Sequence, residues 1–221
     1  TIDAHVGGEP LRMLVDGFPV PRGNTMAEKR KWASRHADHL RRLVMLEPRG
    51  HADMCGAVLT EPTSPGSHAG ILFMDNQGFS AMSGHGVIAA VTIALERGLL
   101  VPGGDGCLVT LDTPAGRVRA VADLGSRITR VAFVNVPSFV LQGGVNVTLG
   151  GRHLRADIAF GGAFYAIVDS ESVGLPLDAP NLPQLRRLGM EIKRAIDGEH
   201  TVAHPIDPHL SGIYGTIFTS P

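Results

Sequence analysis

The chain has 221 residues, 43% of them hydrophobic, and its 20 Lys and Arg nearly balance its 21 Asp and Glu, for a formal net charge of −1. That balance gives nucleic acid and anionic membrane surfaces nothing to attract, so neither is expected as a partner. Two cysteines cannot build a disulfide framework, and Thr1-Ile2-Asp3-Ala4-His5 lacks the charged and apolar regions of a secretory leader, so a cytoplasmic chain of one large or two small domains is expected.

Residues 11–15 read as a strand and 17–23 as a Pro/Gly-rich turn. Thr25 and Glu28 have the spacing of a capping box, opening a polar helix to about residue 43 with one side towards solvent. Residues 44–46, 57–60 and 70–74 read as strands, and Pro62 and Pro65 mark a loop over 60–68. Phe79-Ser80-Ala81-Met82-Ser83-Gly84-His85-Gly86 then reads as a strand end, a sharp Gly-bounded turn and the start of a helix. From Val87 to Leu95 that helix has almost no polar face, which predicts burial. Glu96 and Arg97 return it to solvent, Gly98 suits the C′ position, and the run is too short for a bilayer.

A loop follows over 102–106, then strands at 107–111, 117–122, 129–135, 139–141, 146–149, 153–160 and 162–168. Asn181 and Pro183 open a helix through about Ile196, closed by Gly198, and 213–219 form a last strand. Strands, buried helix, strands and helix make an α+β protein of two similar halves, divided at 1–125 and 126–221.

The chemistry concentrates at the head of the buried helix. The N–H groups of Gly84 and His85 have no intrahelical partner, and the helix dipole favours an anion before them. Ser83 stands beside that position with a hydroxyl able to move a proton. A carboxylate held next to such a group is the minimum equipment for chemistry at the adjacent carbon. Ser is also a favoured N-cap, and one residue can fill both roles. Serine is a poor base unaided and needs a neighbour, for which His85 and His51 are the candidates. Cys55 lies in a similar run, Asp53-Met54-Cys55-Gly56, but lacks the following His and leads into a strand, so it reads as a buried structural thiol, as does Cys107. His36 and His39 lie one helical turn apart among Arg and Lys with no third ligand, which gives a solvated face and no metal site. Glu9, Arg12, Glu47 and Arg49 read as structural ion pairs. His204 either lines the substrate pocket or is a surface-loop histidine.

Met82-Ser83-Gly84-His85-Gly86 resembles the first active-site motif of the proline racemase family, usually Met-Cys-Gly-His-Gly. Asp3-Ala4-His5-Val6-Gly7-Gly8-Glu9-Pro10-Leu11-Arg12, Glu47-Pro48-Arg49-Gly50-His51-Ala52-Asp53-Met54 and Phe160-Gly161-Gly162-Ala163-Phe164-Tyr165-Ala166-Ile167-Val168-Asp169 match in order and spacing, and His204-Pro205 and Gly212-Ile213-Tyr214-Gly215 continue the likeness. The resemblance implies a diaminopimelate-epimerase-like fold: two pseudo-symmetric domains, each a curled sheet around a central helix, with the active site between them. The family's second motif, Asp-Arg-Ser-Pro-Cys-Gly-Thr-Gly-Thr, has no counterpart in this sequence. The chain is therefore expected to be a partial member, its second domain incomplete and the fragment inactive by itself. A cleft lacking part of one wall exposes apolar surface and allows a homodimer.

By this resemblance the chain is a 2-epimerase of hydroxyproline or proline, an isomerase working by α-proton abstraction and reprotonation without pyridoxal phosphate, metal or other cofactor. Ser83 is then one acid/base, Gly84 and His85 bind the substrate carboxylate, and the second acid/base and an amine-binding Asp belong to the absent motif. Trans-3-hydroxy-L-proline dehydratase is the alternative within the family. Family dehydratases keep Cys at the first position, so Ser83 favours epimerase. A non-catalytic imino-acid-binding protein is the alternative of another class. A serine hydrolase lacks support, because Ser83 is not in a Gly-x-Ser-x-Gly elbow.

Overall fold

The structure is a computed structural model that describes residues 1–101 and 107–220. The loop expected over 102–106 lies outside the described residues. The chain divides into two compact units, Thr1–Val136 and Pro137–Pro221.

The first unit opens with a hairpin. Strands β1 (Ile2–Val6) and β2 (Glu9–Leu14) pair across Gly7 and Gly8, whose φ of 59° and 101° suit a two-residue turn that other residues adopt poorly. A strand is expected from the sequence only at 11–15, yet β1 has the alternation of a half-buried strand, with Asp3 and His5 exposed between Ile2, Ala4 and Val6. Helix α1 (Met26–His36) carries the expected capping box: Thr25 Oγ1 accepts from Glu28 N at 3.2 Å, and Glu28 Oε2 accepts from Thr25 N at 3.3 Å. The helix breaks at Ala37 and resumes as α2 (Asp38–Met45). Residues 44 and 45 are thus helical, not a strand. Arg41 and Met45, four residues apart on one helical face, are both buried there, and that burial outweighs the strand-like composition of Val44-Met45-Leu46.

The remaining strands are β3 (Gly56–Thr60), β4 (Ala69–Met74), β5 (Phe79–Ser80), β6 (Leu108–Thr113), β7 (Gly116–Leu124) and β8 (Ile128–Val134). The sheet order is β1-β2-β3-β4-β6-β7-β8, with β5 paired to β4. The division expected between residues 125 and 126 falls between β7 and β8, which pair with each other. Helix α3 (Gly84–Glu96) touches β1 and β2 at one end of this order and β7 and β8 at the other. A sheet whose two ends meet one helix must curl around it. Val87, Ala90, Val91, Ile93 and Ala94 of α3 are buried, as the all-round apolar sequence predicted. Each large aliphatic among them contributes about 1.5–3 kcal/mol by leaving water. Every residue of β4 is buried because both its faces are covered. Phe73 approaches α3 at Gly86, while Leu72 and Met74 join Met26, Ala33 and Met45 beneath α1 and α2.

In the second unit, β9 (Phe139–Leu149), β10 (Arg152–Phe160), β11 (Phe164–Asp169) and β12 (Ile213–Thr219) form a sheet in the order β12-β11-β10-β9. The two short strands expected at 139–141 and 146–149 are one strand. Gly143 and Gly144 read as a break but form a bulge opposite Asp157, whose Oδ1 accepts from Gly144 N at 2.7 Å. A short helix α4 (Ser170–Val173) precedes α5 (Leu182–Glu199), which packs on β9 and β12. Gly198 does not close α5. It lies within the helix without positive φ, and the cap falls at His200. Gly189 sits with its missing side chain facing Thr216 and Phe218, so β12 can approach the helix closely, and Thr216 Oγ1 donates to Gly189 O at 2.8 Å. Among the described residues no helix is long and apolar enough to cross a membrane.

Asp112 of β6 is 3% exposed and accepts several hydrogen bonds. Its oxygens accept from Thr63 N at 2.9 Å, Ser64 N at 2.7 Å and Ser67 Oγ at 2.6 Å, with Arg117 Nε at 3.5 Å. Burial pushes its pKa up, but these hydrogen bonds together outweigh burial and hold it below the usual carboxylate value. Asp112→Ala, which strands those donors, should cost about 1–3 kcal/mol at neutral pH by urea denaturation. Because the native pKa is depressed, the wild type's advantage should be complete above about pH 4 and shrink as pH falls through the native value. A difference that grows on acidification would contradict this account.

Candidate active site at the head of the buried helix

The turn between β4 and β5 delivers the site, and it is held from three directions. Asp75 Oδ1 accepts from Gln77 N at 2.8 Å and Gly78 N at 3.0 Å. Arg41, 5% exposed, donates from Nη1 to the carbonyls of Asp75 and Asn76, both at 2.8 Å, while its Nε holds Asp38 at 2.6 Å. Asn76 Nδ2 donates to Met45 O at 2.9 Å and His51 O at 2.8 Å. The turn is thereby fixed to the end of α2 and to the segment after it. From there the chain runs through β5 and the buried Ala81 to Ser83.

Ser83 is the N-cap of α3, with extended backbone (φ −146°, ψ 114°). Its Oγ accepts from Gly86 N at 3.2 Å and its carbonyl from Val87 N at 2.9 Å. The cap thus satisfies the amides of Gly86 and Val87, and those of Gly84 and His85 have no partner among the described residues. They lie at the positive end of a 13-residue helix. A Cβ on Gly86 would sit 2.7 Å from Phe73 Cε1 and 2.8 Å from Ser83 Oγ, so only glycine keeps the hydroxyl where it is. A Cβ on Gly84 would lie 3.4 Å from Phe133 Cζ, so the ring of Phe133 on β8 flanks the free amides. Ser83 Oγ is 3.4 Å from His85 Nδ1, while His85 Nε2 is buried without a partner among the described residues.

Ser83, Gly84 and His85 therefore meet at one point. His204 lies in the second unit. Its Nδ1 accepts from Ile206 N at 3.3 Å and Asp207 N at 3.2 Å, and its ring lies 5.3 Å from that of Phe139 and 4.8 Å from that of Phe160. These contacts pin the loop before β12. Of the two basic neighbours proposed for Ser83, His85 is in contact, whereas His51 Nδ1 accepts from Asp53 N at 3.3 Å. Cys55 is half-buried, and burial, with Asp75, Glu9 and Asp53 nearby, pushes its thiol up to about 11, which leaves it protonated and unreactive at neutral pH. Arg12 forks onto Asp3 at 2.8 and 2.6 Å and donates to the carbonyls of Val44 and Arg49, so its carboxylate partner is Asp3 and not Glu9 or Glu47. Arg49 Nε in turn donates to Leu43 O at 2.7 Å. His36 stacks on Trp32 at 4.9 Å, and among the described residues no group of three or more His, Cys, Asp and Glu could hold a metal. Arg41 and Phe133 had no signal in the sequence, because each acts on the motif from a distant helix or strand, and Asn76, in the turn itself, acts through carbonyls some 25 to 31 residues away in sequence.

The chain matches the family model described as Proline racemase over residues 1–221. It is 45% identical over 220 residues to a trans-3-hydroxy-L-proline dehydratase of Bacillus thuringiensis subsp. konkukian, covering 99% of this chain and 66% of the relative. It is 42% identical over 222 residues to a 3-hydroxyproline 2-epimerase of Burkholderia multivorans, covering 100% of this chain and 66% of the relative. The crystal structure of a hydroxyproline epimerase from Agrobacterium vitis, with bound trans-4-OH-L-proline, superposes with a TM-score of 0.91 at 30% identity, over 98% of this chain and 64% of that one. The chain thus spans just under two thirds of the length of these relatives. The α+β architecture is accordingly diaminopimelate-epimerase-like. With a match running from the first residue to the last and the Ser-Gly-His-Gly turn at the head of the enclosed helix, the chain belongs to the proline racemase family.

Proposed function

We propose that this chain carries the carboxylate-binding amides and one proton-transfer group of a cofactor-independent 2-epimerase of hydroxyproline or proline. The observation that carries the reading is the pair of free amides at Gly84 and His85 directly beside the Ser83 hydroxyl. An imino acid whose carboxylate docks on those amides presents its α-carbon next to Ser83. Removing the α-proton puts charge beside an existing carboxylate, and preorganised N–H donors stabilise that charge as it develops. Ser83 takes or returns the proton on one face, and inversion requires a second group on the other. Family resemblance assigns that second group to a Cys-Gly-Thr motif that the 221 residues do not contain. His204 is proposed to bind the substrate through Nε2, since Nδ1 is occupied as an acceptor. A cytoplasmic location belongs to the same reading, supported by the two free cysteines, Cys55 and Cys107. So does a homodimer, supported by the exposed Tyr214 and Ile217 on the edge strand β12.

A second reading, dehydration of trans-3-hydroxy-L-proline, is favoured by the 45% identity to the relative of that name. It begins with the same proton abstraction and then expels the 3-hydroxyl.

Incubation in D₂O with trans-4-hydroxy-L-proline and trans-3-hydroxy-L-proline separates these readings. Exchange of the α-hydrogen without ketone or imine supports the epimerase half-reaction, and ketone or imine supports dehydration. Binding without any exchange would leave an imino-acid-binding protein. Ser83→Ala should slow exchange by about 10²-fold or more, and an unchanged rate would remove Ser83 from the chemistry. Converting the ligand's carboxylate to an amide should weaken binding by roughly tenfold or more, the worth of a charged hydrogen bond. Gly86→Ala should cost about 1–3 kcal/mol of stability through overpacking against Phe73 and should also weaken imino-acid binding by displacing Ser83. Thermal melts and titration calorimetry measure the two effects.

A further inference from the structure

We infer that Phe133 of β8 selects the ring of the substrate: its aromatic face is the wall on which the pyrrolidine carbons lie when the carboxylate sits on the amides of Gly84 and His85. The inference rests on the proposed imino-acid binding and names what recognises the part of the ligand that does not react. Alternation along β8 sets the ring's direction. Arg130, Ala132 and Val134 are exposed, so Val131 and Phe133 turn to the opposite face. Phe133 pairs with Ala120 of β7 and Val131 with Ala122, and both alanines are buried, so this is the face that packs on α3. Val109, Leu111, Val118 and Ala120 on the same face are 0–1% exposed. Phe133 departs from that pattern and is only half-buried. It lies on the last strand of the sheet order, so no further strand among the described residues covers its ring.

The open part of the ring stands at the head of α3. Phe133 Cζ and Cε1 lie 3.4 and 3.9 Å from the place a Cβ on Gly84 would take. Glycine there puts no side chain between the ring edge and the backbone that carries the first free amide. The amides recognise a carboxylate and nothing beyond it, so any small carboxylic acid satisfies them. Ser83 adds a proton-transfer group and no recognition of a carbon skeleton. Discrimination therefore falls to the surface that covers the ligand's remaining atoms. Pyrrolidine C–H bonds near a protonated nitrogen carry partial positive charge, which suits the negative face of an aromatic ring. Ring methylenes that leave water against Phe133 add affinity that an acyclic ligand with the same charges lacks. Phe133 is thus a specificity-determining residue that touches the substrate and takes no part in moving the proton.

The test uses the 221-residue chain and three ligands: L-proline, trans-4-hydroxy-L-proline and sarcosine, which keeps the carboxylate and the secondary amine but lacks the ring. By NMR titration the two ring ligands should bind roughly three- to tenfold more tightly than sarcosine. Phe133→Ala should abolish that preference and leave the affinity for sarcosine unchanged. Phe133→Leu keeps an apolar side chain, should retain part of the preference, and serves where thermal melts show that the alanine variant does not fold. Nuclear Overhauser contacts should join the Phe133 ring protons, assigned by their loss in Phe133→Leu, to the C3 and C4 protons of the bound pyrrolidine. Absence of those contacts overturns the inference, as does an equal weakening of all three ligands, which makes Phe133 merely structural. Sarcosine bound as tightly as proline also overturns it and leaves the carboxylate site standing. If none of the three binds, the proposed function fails and the role of Phe133 fails with it.

Discussion

The arrangement depends on one constraint: a helix with no polar face must be enclosed, and its first two amides cannot be satisfied from within. The curled sheet encloses α3 by bringing both of its ends against the helix. Ser83 caps the head but reaches only Gly86 through its side chain and Val87 through its carbonyl. Two N–H groups remain at the positive end of an enclosed dipole, where an anion is worth more than it would be at an exposed helix end. An open pair of donors is in this sense a by-product of how the core is built.

Holding the cap in place takes more than the motif. Arg41 and Asn76 tie the preceding turn to α2 by main-chain carbonyls, so the position of Ser83 is set by a helix some forty residues earlier in the chain. Gly86 is required because it lets Phe73 and the Ser83 hydroxyl share one space, whereas a Cβ on Gly84 would meet Phe133 only at ordinary contact distance. Asp112 gives comparable order to the loop of residues 60–68. Each of these groups works by fixing backbone, which is what a site built from main-chain amides needs.

Serine where the family usually has cysteine changes the chemistry required nearby. A thiol at a helix head ionises readily, whereas a hydroxyl needs a partner to take its proton. Ser83 Oγ lies 3.4 Å from His85 Nδ1. The relatives include a named dehydratase and a named epimerase at similar identity.

Local grammar was legible in the sequence. The capping box at Thr25 and Glu28, the enclosed character of α3 and the cap at Ser83 are set by residues within one or two helical turns of each other, so side-chain type and spacing suffice. The motifs likewise determined the family. What tertiary structure decided was wherever a local preference lost to a distant contact. Met45 is helical because its face is buried, and Gly143 and Gly144 bulge because Asp157 lies opposite. The choice of His85 over His51 beside Ser83, and the wall formed by Phe133, follow from chain folding between residues far apart in order. Spacing along a chain says nothing about such approaches, because they are fixed by which apolar faces the sheet and helices must cover.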